Sequence, residues 1–106
     1  MNFIYICFSM VIISKTKLVA FYELEAMAKE PLLAWYNLAK NSDWSKFSEV
    51  KQSYNSVDSV GNSRFVFNIG GNKYRLVAMI FFDKRTIFIK FIGTHKQYDG
   101  IDCKTI

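Results

Sequence analysis

Metal-ligating and disulfide-forming residues are scarce in this chain. Its two cysteines, Cys7 and Cys103, stand in the two end segments, and His95 is its one histidine. With no Cys-x-x-Cys pair and a lone histidine, neither a zinc site nor a disulfide framework is expected, and no cofactor is implied. Two reduced thiols suit a cytoplasmic protein. One proline and five glycines in 106 residues leave no room for a Pro- or Gly-rich linker, and no repeat or low-complexity segment is visible. Paired carboxylates, a Ser-His-Asp set and a phosphate-cradling P-loop are not evident. The apolar run Phe3–Ile13 is too short to span a bilayer. It also lacks the basic residues that would precede it in a signal peptide. Met10 stands just before Val11-Ile12-Ile13-Ser14, so residues 1–9 read as an extension or a misassigned start, and 10–106 as a single domain.

Apolar and basic residues are what the chain does have. Hydrophobic residues make up 51% and aromatics 17%, which excludes a disordered chain. The net charge of +5 lies wholly in one half. In residues 1–60 six lysines balance six acids, whereas residues 61–106 carry eight Lys or Arg against three acids. A lopsided cationic surface favours a polyanionic partner.

Periodicity divides the chain the same way. Val11–Ser14 reads as a short buried strand, and Ser14 is placed to cap a helix that starts near Lys15. Leu18, Phe21, Tyr22, Leu24 and Met27 keep helical spacing. Pro31 suits the first turn of a second helix, with Leu32, Trp35, Tyr36 and Ala39 on one stripe. Asn41-Ser42-Asp43 breaks it, and a short third helical piece carries Trp44, Phe47, Val50 and Tyr54 inward. Residues 55–62 read as a polar connection. Strands are expected at Arg64–Ile69, Lys73–Phe82 and Thr86–Ile92, with Gly93 ending the last. Gly70-Gly71-Asn72 closes the first two into a hairpin. The fold class is therefore α+β, with two to three N-terminal helices packed on one face of a small antiparallel-rich sheet.

Alternation along the strands sorts the charges. Phe65, Phe67 and Ile69, then Tyr74, Leu76, Ala78 and Ile80, then Ile87, Ile89 and Phe91 form the helix-facing set. Arg64, Asn68, Lys73, Arg75 and Lys90 fall on the opposite, open face, with His95 and Tyr98 able to reach its edge. Charges there are either solubility devices or a phosphate-binding group, since Arg offers a planar fork and Lys a point charge. Val77, Met79, Phe81 and Phe88 on the same face suggest that stacked bases or another protein cover part of it. A histidine in such a setting suits proton transfer in RNA cleavage, where the 2′-hydroxyl attacks the neighbouring phosphorus without a metal.

The run Phe67-Asn68-Ile69-Gly70-Gly71-Asn72-Lys73-Tyr74-Arg75-Leu76-Val77, followed by Gly93-Thr94-His95-Lys96-Gln97-Tyr98-Asp99, resembles the HigB family of type II toxin–antitoxin toxins. Met10-Val11-Ile12-Ile13-Ser14, Ala34-Trp35-Tyr36 and Asp43-Trp44 extend the resemblance over residues 10–106. It implies a RelE-like fold and a ribosome-dependent mRNA endonuclease. It also implies a HigA-type helix-turn-helix antitoxin, with operator DNA bound only through the complex. By motif position, Lys73, Arg75, His95 and Tyr98 are the catalytic candidates. Arg64, Asn68, Lys90 and Lys96 would hold RNA, and Asp99 would orient His95 or cap the tail. The alternative is a non-catalytic RNA- or ribosome-binding module that blocks translation. No metal and no membrane enter either reading.

Overall fold

The computed structural model describes residues 9–106. The expectation that residues 1–9 are an extension therefore falls, but for Ser9, outside the described residues. The elements run β1 (Val11–Ile13), α1 (Lys15–Leu24), α2 (Lys29–Lys40), α3 (Phe47–Ser53), β2 (Val57–Gly61), β3 (Arg64–Ile69), β4 (Tyr74–Phe81), β5 (Thr86–Thr94) and α4 (His95–Tyr98). Single 3-10 turns precede α2 and β5. The sheet order is β1-β5-β4-β3-β2, antiparallel throughout except for the parallel β1–β5 pair. This is the α+β, RelE-like architecture expected.

The helices cover one face. Leu18 of α1, Leu32, Trp35 and Ala39 of α2 and Val50 of α3 meet Phe65, Phe67, Leu76, Ala78, Ile80, Ile87 and Ile89 in one core. An aromatic group anchors it. The Phe67 ring lies 5.3 Å from Trp35 and 5.1 Å from Tyr54, edge to face in both cases. The Tyr54 hydroxyl donates to the Trp35 carbonyl at 2.8 Å, so a half-buried polar group is satisfied on the helix it packs against. Pro31 sits in the first turn of α2, where its missing N–H costs nothing.

Five expectations need correction. First, β1 is not a buried strand. It lies at the sheet edge, and Val11 and Ile13 are exposed on the face the helices leave uncovered. Second, Ser14 holds the cap position of α1 in an extended conformation, but its side chain makes no capping hydrogen bond. Third, the polar connection contains β2, whose Val57, Asp58 and Ser59 pair with Phe67, Val66 and Phe65. Only Val57 is buried there, and so polar a segment serves well as an edge strand.

Fourth, β5 continues through Gly93 to Thr94, opposite Arg75 and Tyr74. Finally, β5 does not alternate throughout. Val77 pairs with Phe91 but Ala78 pairs with Ile89, so Lys90 is the extra residue of a bulge. Phe91 therefore shares the face of Val77, away from the helices, and Ile92 packs against the core instead.

Candidate functional site

The ends of β4 and β5 and the hairpin between β3 and β4 bring most of the sequence candidates together. Asn68, Arg75 and Gly93 are direct neighbours across three strands. The hairpin turns through Gly70 and Gly71, both at positive φ, which glycine adopts without strain. That turn delivers Lys73 to the start of β4, and its carbonyl accepts a hydrogen bond from the His95 amide at 3.1 Å. Lys73 and His95 are thus tied together through the backbone.

Three residues build the turn that carries His95 and Tyr98. The Thr94 hydroxyl accepts from the Gln97 amide at 3.1 Å, and the Gln97 side chain accepts from the Thr94 amide at 2.8 Å. This reciprocal capping box starts α4. The Thr-x-x-Gln spacing was visible in the sequence, but the expected strand end at Gly93 left it unread. Asp99 closes the turn with its Oδ2 3.3 Å from Nδ1 of the His95 ring, an i,i+4 pair, and its own amide donates to the His95 carbonyl. It stands beside the imidazole and ends the helix.

At Gly93 two neighbouring side-chain ends fill the space a side chain would take. A Cβ there would stand 2.6 Å from Cζ of Phe91 and 2.7 Å from Oε1 of Gln97. Gly93→Ala should therefore push Gln97 out of the capping box. The expected loss is about 1–3 kcal/mol, as in other overpacked sites. Thermal unfolding checks this, and an unchanged Tm would show that the site tolerates a side chain.

Tyr98 is half-buried. Its hydroxyl is pushed up to about 12, first by a hydrogen bond to the Cys103 thiol and then by burial, with the Arg75 charge acting in the opposite direction. It therefore stays protonated at neutral pH and can donate a proton but not accept one. Arg75 is also half-buried, and its guanidinium donates to the Asn72 and Tyr74 carbonyls at 3.2 and 3.3 Å. Lys73 and Lys96 are exposed. The side-chain amide of Asn68 donates to the Ser56 hydroxyl, and its main-chain N–H to the Ser56 carbonyl at 3.2 Å.

Two expected RNA-binding residues do not join this cluster. Arg64 lies at the far end of β3, opposite Met79. Its Nε and Nη2 donate to the main-chain oxygen of Ile106 at 3.1 and 2.7 Å, and Nη1 to the Asn62 carbonyl at 3.1 Å. Lys90, displaced by the bulge, lines a cavity of about 400 Å³ with Lys17, Ala20, Phe21 and Leu24 of α1.

The supposedly open face is also partly closed. Val66 and Val77 are buried but stand outside the helix-side core. The C-terminal segment following α4 returns to the Arg64 end of the sheet, pinned by Arg64 to Ile106 and by Asn62 Nδ2 to the Lys104 carbonyl at 3.1 Å. Part of the apolar surface on this face is thus buried within the chain itself.

Among the described residues, no group of three or more His, Cys, Asp or Glu is placed to hold a metal ion. No described helix is long and apolar enough to cross a membrane. A small RelE-like domain with Lys, Arg, His and Tyr gathered at one end of its sheet is the class defined by fold and site. The family model described as HigB_toxin, the RelE-like toxic component of a toxin–antitoxin system, matches residues 28–101, and the chain belongs to that family. It is 36% identical over 73 residues to the mRNA interferase toxin HigB of Escherichia coli K12, covering 67% of this chain and 70% of that protein. Against the mRNA interferase HigB of Escherichia coli O6:H1 it is 32% identical over 82 residues, covering 76% and 77%. The mRNA interferase HigB of Shigella flexneri matches at 36% over 73 residues.

Proposed function

We propose that this chain is the toxin of a type II toxin–antitoxin system and cleaves mRNA on the ribosome by attack of the 2′-hydroxyl on the adjacent phosphorus. The observation that carries this reading is the convergence of Arg75, Lys73, His95 and Tyr98 at one sheet end in a chain of the HigB toxin family. The curated relatives are named mRNA interferases.

The chemistry divides among these groups. Asp99 Oδ2 stands 3.3 Å from Nδ1 of His95, and Nε2, the other ring nitrogen, takes the proton of the 2′-hydroxyl. Arg75 supplies fixed positive charge to the phosphorane as it forms. Lys73, at the lip of the hairpin, adds a second cation. Tyr98, held protonated, serves as donor to the departing 5′-oxygen. Asn68 and Lys96 flank this group on either side and contact the RNA backbone. None of these steps calls on a metal ion.

The proposed setting is the cytoplasm, where translating ribosomes lie, with residues 10–106 forming the toxin domain. The partner is a HigA-type helix-turn-helix antitoxin, and operator DNA is bound only by the pair. The competing reading is a module that occupies the ribosome without cutting. A test programmes ribosomes with a defined message and adds the chain. Cleavage leaving a 2′,3′-cyclic phosphate, abolished by a 2′-deoxynucleotide at the cut site, is the expected result. His95→Ala should lower the rate by about 100-fold or more. Stalled translation with intact message would favour the blocking module.

A further inference from the structure

We propose that the groove between α1 and the open edge of β5 is a docking site for the antitoxin, which adds an extended segment of alternating acidic and apolar residues to the sheet as a further strand. This names the surface the partner uses and rests on the reading of the chain as a toxin held by a protein antitoxin. The edge exists because β1 is short. Its three residues pair with Thr86, Ile87 and Phe88, whereas β5 runs for nine residues to Thr94. Beyond Phe88, no described strand lies beside β5 on that side.

The ladder fixes which main-chain groups face that side. The His95 amide donates to the Lys73 carbonyl, so the preceding pair, Thr94 and Tyr74, exchanges no hydrogen bonds of its own. Bonded and non-bonded pairs alternate along an antiparallel ladder. Gly93 and Arg75 are therefore a bonded pair, and Ile92 and Leu76 are not. The N–H and C=O of Ile92 thus point away from β4, and among the described residues they meet no hydrogen-bonding partner. Thr94 points the same way, but its amide is taken by Gln97. A free donor and acceptor on a sheet edge are what an added strand binds.

The walls of the groove set the chemistry of its occupant. Lys17, Ala20, Phe21 and Leu24 form one stripe along α1, and with Lys90 and Ile92 of β5 they line the cavity of about 400 Å³. The lining is apolar except for one lysine on each side. Neither lysine pairs with a carboxylate among the described salt bridges. Neither lies over an aromatic ring, whereas Lys15, Lys29, Lys40 and Lys51 all do. Leu24 and Met27, 89% and 65% exposed, extend the apolar surface past the end of α1. Two unpaired cations beside an apolar groove suit a strand bearing both carboxylates and apolar side chains, better than the unbroken charge of an RNA backbone. His95 follows directly on β5, so a strand seated here lies beside the element that carries the site.

The test uses the full chain and the antitoxin co-expressed and purified with it. In the complex the Ile92 amide should exchange with solvent at least about 10-fold more slowly than in the free chain. The Ser59 amide, on β2 at the other edge of the sheet, should keep its rate. Lys17 and Ala20 are exposed on α1, so Lys17→Glu and Ala20→Glu leave the core intact. Each should weaken antitoxin binding by about 10- to 100-fold, with the larger effect at low salt. Lys17→Arg keeps the charge and should bind as the wild type does. Neither position belongs to the cleavage site, so both glutamate variants should cut ribosome-bound message at the wild-type rate and resist neutralisation.

Should Ile92 stay unprotected in the complex, or Ser59 be protected in its place, the proposal falls. Should both glutamate variants bind antitoxin normally but raise KM for ribosome-bound message with a weaker salt dependence, the groove is an RNA contact and the proposal again falls. If the wild-type chain cuts nothing while Ile92 protection and the loss of affinity are both seen, the endonuclease reading fails and the docking surface stands. Should either variant on α1 not fold, Lys90→Glu on the facing wall carries the affinity comparison.

Discussion

Arg75→Ala should lower the rate of ribosome-bound cleavage by about 100- to 1,000-fold, the usual effect of removing one donor aimed at developing charge. Arg75 is placed for this by the sheet: it stands between Asn68 and Gly93, one strand from the base of α4. Its guanidinium donates to two main-chain carbonyls, which aims the fork without neutralising it. No carboxylate pairs with it among the described salt bridges. The substitution should cost about 1 kcal/mol of stability, the net worth of an ordinary hydrogen bond. A single-turnover assay together with a thermal melt separates the two effects. If cleavage falls no further than the Tm shift accounts for, Arg75 is structural only. Arg75→Lys should recover part of the rate, because charge is kept and the planar fork is lost.

Phe67→Ala should destabilise the domain by about 3–5 kcal/mol, the range for deleting a buried aromatic side chain. At roughly 4–8 °C per kcal/mol, the Tm falls by tens of degrees in a domain of this size. Phe67 is 1% exposed and contacts both Trp35 and Tyr54 edge to face. It is also the residue before Asn68, so the same ring that joins α2 to the sheet sets the strand from which the site is built. Chemical denaturation gives the number directly. A loss under 1 kcal/mol would mean that the aromatic group collapses around the gap.

The helix-facing set of β3 and β4 was legible in the sequence because apolar residues alternate cleanly there, and the Gly-Gly-Asn turn fixed the register between them. Arg64 pairs with Met79 and Asn68 with Arg75 as alternation requires. Alternation misled at β5, where the bulge at Lys90 moves Phe91 and Ile92 to opposite faces from those expected. A bulge has no reliable mark in a run such as Thr86–Ile92, which is apolar on both sides. The strand β2 went unread because a polar edge strand and a loop have the same composition.

The site divides in a similar way. Lys73, Arg75, His95, Tyr98 and Asn68 could be grouped because they fall at strand ends joined by one hairpin. The coupling of Asp99 to His95 follows from their four-residue spacing on a helical turn. What could not be read was a long-range fact: the segment after Tyr98 returns across the sheet to Arg64, forty-two positions earlier in the chain. Nothing local in Ile101-Asp102-Cys103-Lys104 announces that return. An unpaired cation on an alternating strand looks like a ligand-binding residue until its partner is located.

The central claim is that this chain cuts translated RNA with His95 and Arg75. The most direct test maps RNA 5′ ends in cells shortly after induction of the wild-type chain, His95→Ala and Arg75→Ala. New ends concentrated within translated frames in the wild type, and missing in both variants, are the predicted result. Growth arrest without new ends, or the same ends in all three, would contradict it.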